Sequence, residues 1–516
     1  MKKILSILLG YLVVLHSCDI LDLKPQTQWS VINVPSEISH LGNILNGGYE
    51  RMGNVLLSNF VVYGDERADV YYINSTTQIH NRIAFSLLDG DMSQSNWSSF
   101  YQIIRQANIN IEYVPQMISD NTITAAEGNT IFGQACCQRA FTYFWLTRIW
   151  GEVPLRLKAV LNSGDDFTIR KSSVDEVFKC IHNDLDSAYK YIPAQTAATM
   201  SRVRFSPVAV RALRASVYMW QHNYAAALTE LDAVVSAPNY SLATLWDEAQ
   251  TPPISDAAGN AFRQYIATTQ FSKMFNSQTS ATGSESIFEI AFSDQSMSLN
   301  NIFDSYWVTT NGTQFKVREQ MAEMYTRDDF RYYATVAPMD GGGKINAIKW
   351  VTGYSRGQNR NLVLMRLADF ILLRAEANIM LSDSDPTDAQ RNAIMTDINR
   401  IRTRAMGAGA AIPAGDGSDG GYLDRNVFDK AEFMRTLKRE RQKELMFEGQ
   451  RWFDLVRWGE TKEALGNMQE AVFTNNYPFN TGPVYLSDTG LDLVWPVNNE
   501  EIRRSKGRIE QNVYYR

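Results

Sequence analysis

Apolar residues recur along most of the chain at steps of three and four, the spacing that lines one face of an α-helix. This pattern predicts helices over Ser36–Met52, Ser95–Pro115, Ile131–Ile149, Ser173–Tyr191, Pro207–His222, Tyr224–Val235, Leu364–Ser382, Pro386–Met406 and Lys430–Glu463. Two of the starts carry their own cap chemistry. Ser173 stands three residues ahead of Glu176, the hydroxyl-to-carboxylate spacing of a capping box, and Ser206-Pro207 sets an N-cap before a proline at the first helical position. Residues 239–363 break the pattern. Rich in Gly, Ser, Asn and Asp, they predict loops with short strands at Ser286–Phe292 and Ile345–Val351, and residues 406–421 predict an exposed loop.

Some of these helices pair. Within Val208–Val235, Ala212, Ala215 and Ala227 share the helical spacing with Tyr218, Tyr224 and Leu231, and Asn223 falls in the turn. Small residues let two helices approach, and an aromatic fills the adjoining gap. The arrangement resembles a tetratricopeptide hairpin. Ala135–Ile149 with Ser173–Tyr191, and Leu364–Met380 with Ala389–Arg402, form similar pairs, and a generic helical hairpin would give the same spacing.

The N-terminus differs in kind. Lys2 and Lys3 precede an apolar run from Ile4 to Leu15, the length of a signal-peptide core and too short to span a bilayer comfortably. The run ends in Leu15-His16-Ser17-Cys18, which resembles the lipobox of bacterial lipoproteins, His16 being the one departure. The resemblance implies that residues 1–17 are removed and that Cys18, acylated, becomes the mature N-terminus and anchors the chain on the surface of the outer membrane. An ordinary secretory signal with a chance Cys is the other reading. Acyl chains partition at about 0.8 kcal/mol per buried methylene, so two or three hold a protein on a membrane where one does not. Residues 18–30 read as a tether, and Asp19, Asp22 and Pro25 resemble the acidic export signals of surface-exposed lipoproteins. Residues 31–516 are then expected to form a single large helical domain, with 239–363 as a loop-rich, ligand-facing insert.

Composition narrows the function. A net charge of −6, with no basic patch, argues against nucleic acid. The 24 Tyr and 11 Trp are a high aromatic load; most are expected in the core, and a sugar-stacking surface would draw on the same residues. Cys136 and Cys137 are adjacent on a predicted helix and Cys180 stands apart, which predicts buried thiols; at most Cys180 pairs with one of the two. The five His show no metal-ligand spacing, and no cofactor fingerprint occurs. Gly353-Tyr354-Ser355-Arg356-Gly357 matches the GxSxG pattern, but no His follows it and polar Gln358–Asn361 come directly after it in place of a helix. A glycosidase needs only two carboxylates at a suitable separation, so the sequence leaves a hydrolase as a minor alternative.

The run Arg439-Glu440-Arg441-Gln442-Lys443-Glu444-Leu445-Met446-Phe447-Glu448-Gly449-Gln450-Arg451-Trp452-Phe453-Asp454-Leu455-Val456-Arg457-Trp458 resembles the signature helix of the RagB/SusD family, with Gln450 where His is common. Arg366 to Ala377, Trp97 with Tyr101, Ile104 and Asn108, and Leu493 to Ile502 agree in order and spacing. The resemblance extends over nearly the whole chain. It implies a SusD-like fold and a non-catalytic surface lipoprotein that captures a glycan for a SusC-type TonB-dependent transporter. A peptide-binding role is the alternative, since some relatives pair with peptide importers. On one continuous helix Leu437, Arg441, Leu445, Glu448, Trp452 and Leu455 share a stripe, so Arg441 and Glu448 must be paired if buried. Glu440, Glu444, Arg451, Asp454 and Arg457 are the partners in reach, and an ion-paired core is expected over an active-site carboxylate cluster. Trp97 is expected to pack inside.

Ligand residues vary within such a family and do not transfer by motif. Sugar rings offer an apolar face and hydroxyls, so aromatics beside amides and carboxylates in loops are the candidates. Two clusters fit. Asp65, Asp69, Tyr71, Tyr72 and Asn74 form one; Asn301, Tyr306 and Trp307, with Phe303 and Asn311 nearby, form the other. The alternative for Tyr71, Tyr72 and Phe303 is that they anchor the loops from below.

Overall fold

A computed structural model describes residues 35–73, 78–161, 169–196, 199–245, 265, 268–276, 285–292, 315–326, 328–336, 347–350, 360–383, 386–407, 429–466, 486–487 and 489–516. Cys18 and its tether, the GxSxG stretch and residues 408–421 lie outside them.

The described chain is mostly helical. Helix α1 (Ile38–Gly64) leads to strand β1 (Tyr71–Ile73), then α2 (Gln78–Ala84), α3 (Ser98–Ser119) and α4 (Ala125–Trp150). A short ribbon of β2 (Val153–Pro154) and β3 (Lys171–Ser172) precedes α5 (Val174–Tyr191), α6 (Pro207–Trp220) and α7 (Tyr224–Val235). The middle of the chain holds α8 (Gln270–Asn276), β4 (Ser286–Ile290), β5 (Phe315–Val317), α9 (Glu319–Glu323), α10 (Arg331–Thr335) and β6 (Leu362–Arg366). Then come α11 (Leu367–Leu381), α12 (Asp388–Met406), α13 (Lys430–Leu445), α14 (Arg451–Trp458), α15 (Thr461–Gly466) and α16 (Asn499–Arg504). The three pairs expected from small-residue spacing, α4 with α5, α6 with α7 and α11 with α12, each pack together, and α11 also packs on α7.

Local chemistry accounts for the helix starts. Ser173 Oγ accepts from the Glu176 amide at 3.3 Å while the Glu176 carboxylate accepts from the Ser173 amide at 2.9 Å. Ser206 Oγ accepts from the Ala209 amide at 3.0 Å. Each such cap contributes about 1 kcal/mol. Helix α5 then buries Val177, Ile181, Leu185 and Ala188 on one face, and each large aliphatic side chain so removed from water contributes roughly 1.5–3 kcal/mol. Cys136, Cys137 and Cys180 are buried free thiols.

Several elements differ from expectation. Helix α1 runs to Gly64, past the expected end at Met52; strand β6 replaces the first residues of the helix expected from Leu364; and α8, α9 and α10 lie within 239–363, where loops and short strands were expected. The helix expected over Lys430–Glu463 breaks at residues 446–450, where Phe447 and Gly449 adopt φ of 68° and 70°. The break lets α14 fold back onto α1, and the two backbones touch: a Cβ on Gly64 would meet the Gly449 carbonyl at 1.9 Å, and one on Gly449 would meet the Phe60 carbonyl at 2.5 Å. Only glycine fits both sides. The strand expected over Ile345–Val351 does not form in its described part, residues 347–350. Lys349 Nζ is drawn to the Glu444 carbonyl at 2.8 Å and Trp350 Nε1 to the Phe447 carbonyl at 2.8 Å. Side-chain bonds to the broken helix thus replace a ladder. Strand β4 does form, antiparallel to β6.

Candidate functional site

Strand β1 pairs with β5 in antiparallel register, Tyr71 opposite Val317 and Ile73 opposite Phe315. The chain leaves β1 after Ile73 and enters β5 at Phe315, so both events occur at one end of the ladder. The chain therefore departs at that end towards Asn74 and arrives there from the stretch whose sequence carries the second cluster. Arg318 fastens the opposite end: its amide donates to the Val70 carbonyl at 3.2 Å and its Nε to the Tyr71 carbonyl at 2.9 Å.

Several residues expected at a ligand surface instead form the base of this ladder. Asp65 is fully buried, and its carboxylate accepts from the Gly449 and Arg451 amides at 2.8 and 3.2 Å. Burial pushes its carboxyl up to about 7, opposed by those two hydrogen bonds. Asp69 receives Arg451 Nε and a second guanidinium nitrogen at 2.8 and 2.7 Å. Tyr71 is 1% exposed, stacked on Phe447 at 5.3 Å between centroids and edge-on to Phe315 at 5.2 Å. In this arrangement Asp65 and Tyr71 present no surface to a ligand. The anchoring alternative describes Tyr71. The Tyr72 backbone pairs with Lys316, while Asn74, Asn301, Tyr306 and Trp307 lie outside the described residues.

His80 escaped the sequence reading, and Glu66, which lies within the first cluster, was not singled out there. His80 Nδ1 lies 2.8 Å from Glu66 Oε1, and its ring stands edge-on to Phe315 at 5.3 Å. Burial pushes the Glu66 carboxyl up to about 7, with the His80 hydrogen bond acting against it. No spacing links the two, because one follows α1 and the other lies in α2.

The carboxylates of the signature helix are committed to structure. Glu444 binds Arg366 at 2.6 Å, Arg331 at 3.2 Å and also Arg404. Glu448 binds Lys349 at 2.6 Å and Arg366 at 2.7 Å. Arg441 spans Asp369 at 2.8 Å and Asp454 at 3.0 Å. These cations hold the carboxyls of Glu444, Glu448 and Asp454 below the usual carboxylate range despite burial. Asp454 was among the partners anticipated for Arg441. Lys349 and Arg366, which pair Glu448, were not, since the helix break turns Glu448 away from its expected neighbours. Trp97 packs inside at 2% exposure, 5.9 Å from the Trp150 ring.

Residues 343–515 match the SusD family model, and residues 19–219 match the model described as starch-binding associating with outer membrane. SusD-like protein P38 of Formosa agariphila is 26% identical, the match covering 90% of this chain and 94% of that protein. SusD-like protein P2 of the same organism is 23% identical over the full length of both. Among solved structures, NanU of B. fragilis superposes with a TM-score of 0.67 at 21% identity, covering 93% of this chain and 97% of its own. A laminarin-binding SusD-like protein superposes with a TM-score of 0.66 at 19% identity, covering 93% and 100%. With both matched regions in their expected order on a mostly helical SusD-like fold, the chain belongs to the SusD/RagB family.

Proposed function

We propose that this protein is a lipid-anchored, surface-exposed glycan-binding protein that captures an oligo- or polysaccharide and passes it to a SusC-type TonB-dependent transporter. The observation that carries this reading is the β1–β5 ladder, which seats the bases of two segments rich in aromatics and amides side by side. The starch-binding description of the matched N-terminal model and the laminarin-binding relative support a glycan as ligand. Asn74, Asn301, Tyr306 and Trp307, with Tyr72, are the residues assigned to touch sugar; Asp65, Asp69 and Tyr71 hold the base. Cys18 anchors the chain and confines it to the plane of its transporter, which raises the effective concentration of each for the other. The protein binds without cleaving, in keeping with signature carboxylates that are each held by cations.

Calorimetry with neutral oligosaccharides tests this. Affinity is expected at roughly micromolar to millimolar, about −8 to −4 kcal/mol. Trp307→Ala should lose on the order of 1 kcal/mol through the missing stack. Unchanged binding in that variant removes Trp307 from the site. Tight binding of peptides with none of any glycan overturns the role.

A further inference from the structure

Away from the ladder, the start of α3 forms one wall of an open cleft of about 390 Å³, within the roughly 300–1,000 Å³ of small-ligand sites. Three segments of the chain build it. Trp97, Tyr101, Arg105 and Asn108 line it at helical steps of four, four and three. Pro154, Arg156, Lys158 and Val160 line it at every second position, the signature of an extended segment showing one face. Glu501, Arg504, Ser505 and Ile509, in and just after α16, close the third side.

The extended wall is held rigidly. Asn108 Nδ2 donates to the Arg156 and Lys158 carbonyls at 3.1 and 3.0 Å, and Arg105 Nε donates to the Val160 carbonyl at 2.8 Å. Arg139 in turn donates to the Asn108 side-chain oxygen at 2.8 Å and, through two further N–H groups, to both Asp184 carboxylate oxygens at 2.7 and 2.8 Å. A buried ion pair thus positions a surface loop, the preorganisation that a binding wall needs.

The charge of the lining is lopsided. Arg105, Arg156, Lys158 and Arg504 face it against the single carboxylate of Glu501, in a chain whose net charge is −6. Glu500 offsets part of the Arg504 charge at 2.8 Å. Burial and the neighbouring Arg51 depress the Arg105 guanidinium, a crowding of cations that an anion would relieve. Below this rim the floor is apolar: Trp97, Ile104 and Ile509 are buried. An apolar floor under a cationic rim fits a pyranose ring bearing a carboxylate or sulfate.

We propose that this cleft is a second saccharide subsite, selective for anionic sugar units. It rests on the glycan-binding reading and adds to it a substrate class and a place. The test is calorimetry on the full-length lipoprotein in detergent, with oligogalacturonate, a sulfated galactan oligosaccharide and neutral laminarin oligosaccharide of matched length. The anionic probes should bind more tightly than the neutral one, and binding should weaken roughly tenfold between about 50 and 500 mM salt. The paired change Lys158→Glu with Arg504→Glu reverses two exposed charges and should weaken anionic binding by about tenfold or more, with neutral-glycan binding unchanged and only a small drop in the thermal melt from the lost Glu500 pair. A response to only one anionic probe identifies the carboxylate or the sulfate as the recognised group. Anionic probes binding no better than laminarin, or equally well to the doubly reversed variant, overturn the subsite while the broader reading stands. Equal binding of polyglutamate overturns its saccharide assignment. Absence of binding by every glycan removes both.

Discussion

Glu66 illustrates how a residue near the candidate site couples to pH. Its side chain is fully buried, and one oxygen is held by His80. Its carboxyl ordinarily titrates near 4.5 and is pushed by burial up to about 7. Between those values the folded protein keeps a proton that the unfolded chain has released, so stability is greatest at the acid end of the window and falls as pH rises. Asp65 contributes in the same direction, from 3.8 up to about 7. Glutamine in place of Glu66 cannot ionise. Urea melts at pH 4.5 and 7.5 should therefore show wild type losing on the order of 1–3 kcal/mol more than Glu66→Gln across that interval. A parallel pH dependence in the two proteins would mean that Glu66 ionises freely in the fold. The paired carboxyls of Glu444, Glu448 and Asp454 act oppositely, their stabilisation being lost as pH drops through their depressed values.

Among the elements, the broken signature helix makes the sharpest prediction. Gly449 and Gly459 share a left-handed backbone, at φ of 70° and 72°, but only Gly449 lies against another chain segment. Gly459→Ala should cost about 1–2 kcal/mol from backbone strain alone. Gly449→Ala adds a clash with the Phe60 carbonyl and should cost several kcal/mol, roughly 3–5, seen as a lower urea midpoint. Equal losses would mean that α1 yields. The long helices were legible because amphipathic spacing and the Ser173 and Ser206 caps are local, whereas the short helices α2, α8, α9, α10 and α16 were not, each having too few turns to show a period. Thr124 with Glu127 and Thr387 with Gln390 wrote two further capping boxes that went unread. The break at 446–450 was not legible: Phe447, a non-glycine residue at φ 68°, carries no local mark of a turn. Nor was the fate of residues 347–350, set by bonds that Lys349 and Trp350 make to a distant helix.

At the scale of the whole molecule, the same divide separates what was read of the site from what was not. Asp65, Asp69 and Tyr71 have the composition of a sugar-facing loop, and composition cannot tell a loop from the ground beneath it. Gly449, Arg451 and Phe447 settle that difference, and they stand far along the chain. Long-range closure is general here. The Trp495 amide donates to the Ile149 carbonyl at 2.7 Å, Trp150 Nε1 to the Pro496 carbonyl at 3.2 Å, and Asn512 Nδ2 to the Trp150 carbonyl at 3.1 Å. The Trp495 ring also meets Tyr63 edge-on at 5.1 Å. These bonds impose an order on biogenesis. Residues 495–512, at least 346 positions further along the chain, seal the end of α4 and the aromatic cluster beside α1. Contacts of such sequence separation form late, after the entropy of closing the chain has been met. A chain ending at Val494 should therefore retain helical signal by circular dichroism yet be cut rapidly by protease and melt without a sharp transition. For a chain exported as proposed above, transport has to precede closure: the helices must stay unsealed until residues 495–512 have reached the same side of the membrane.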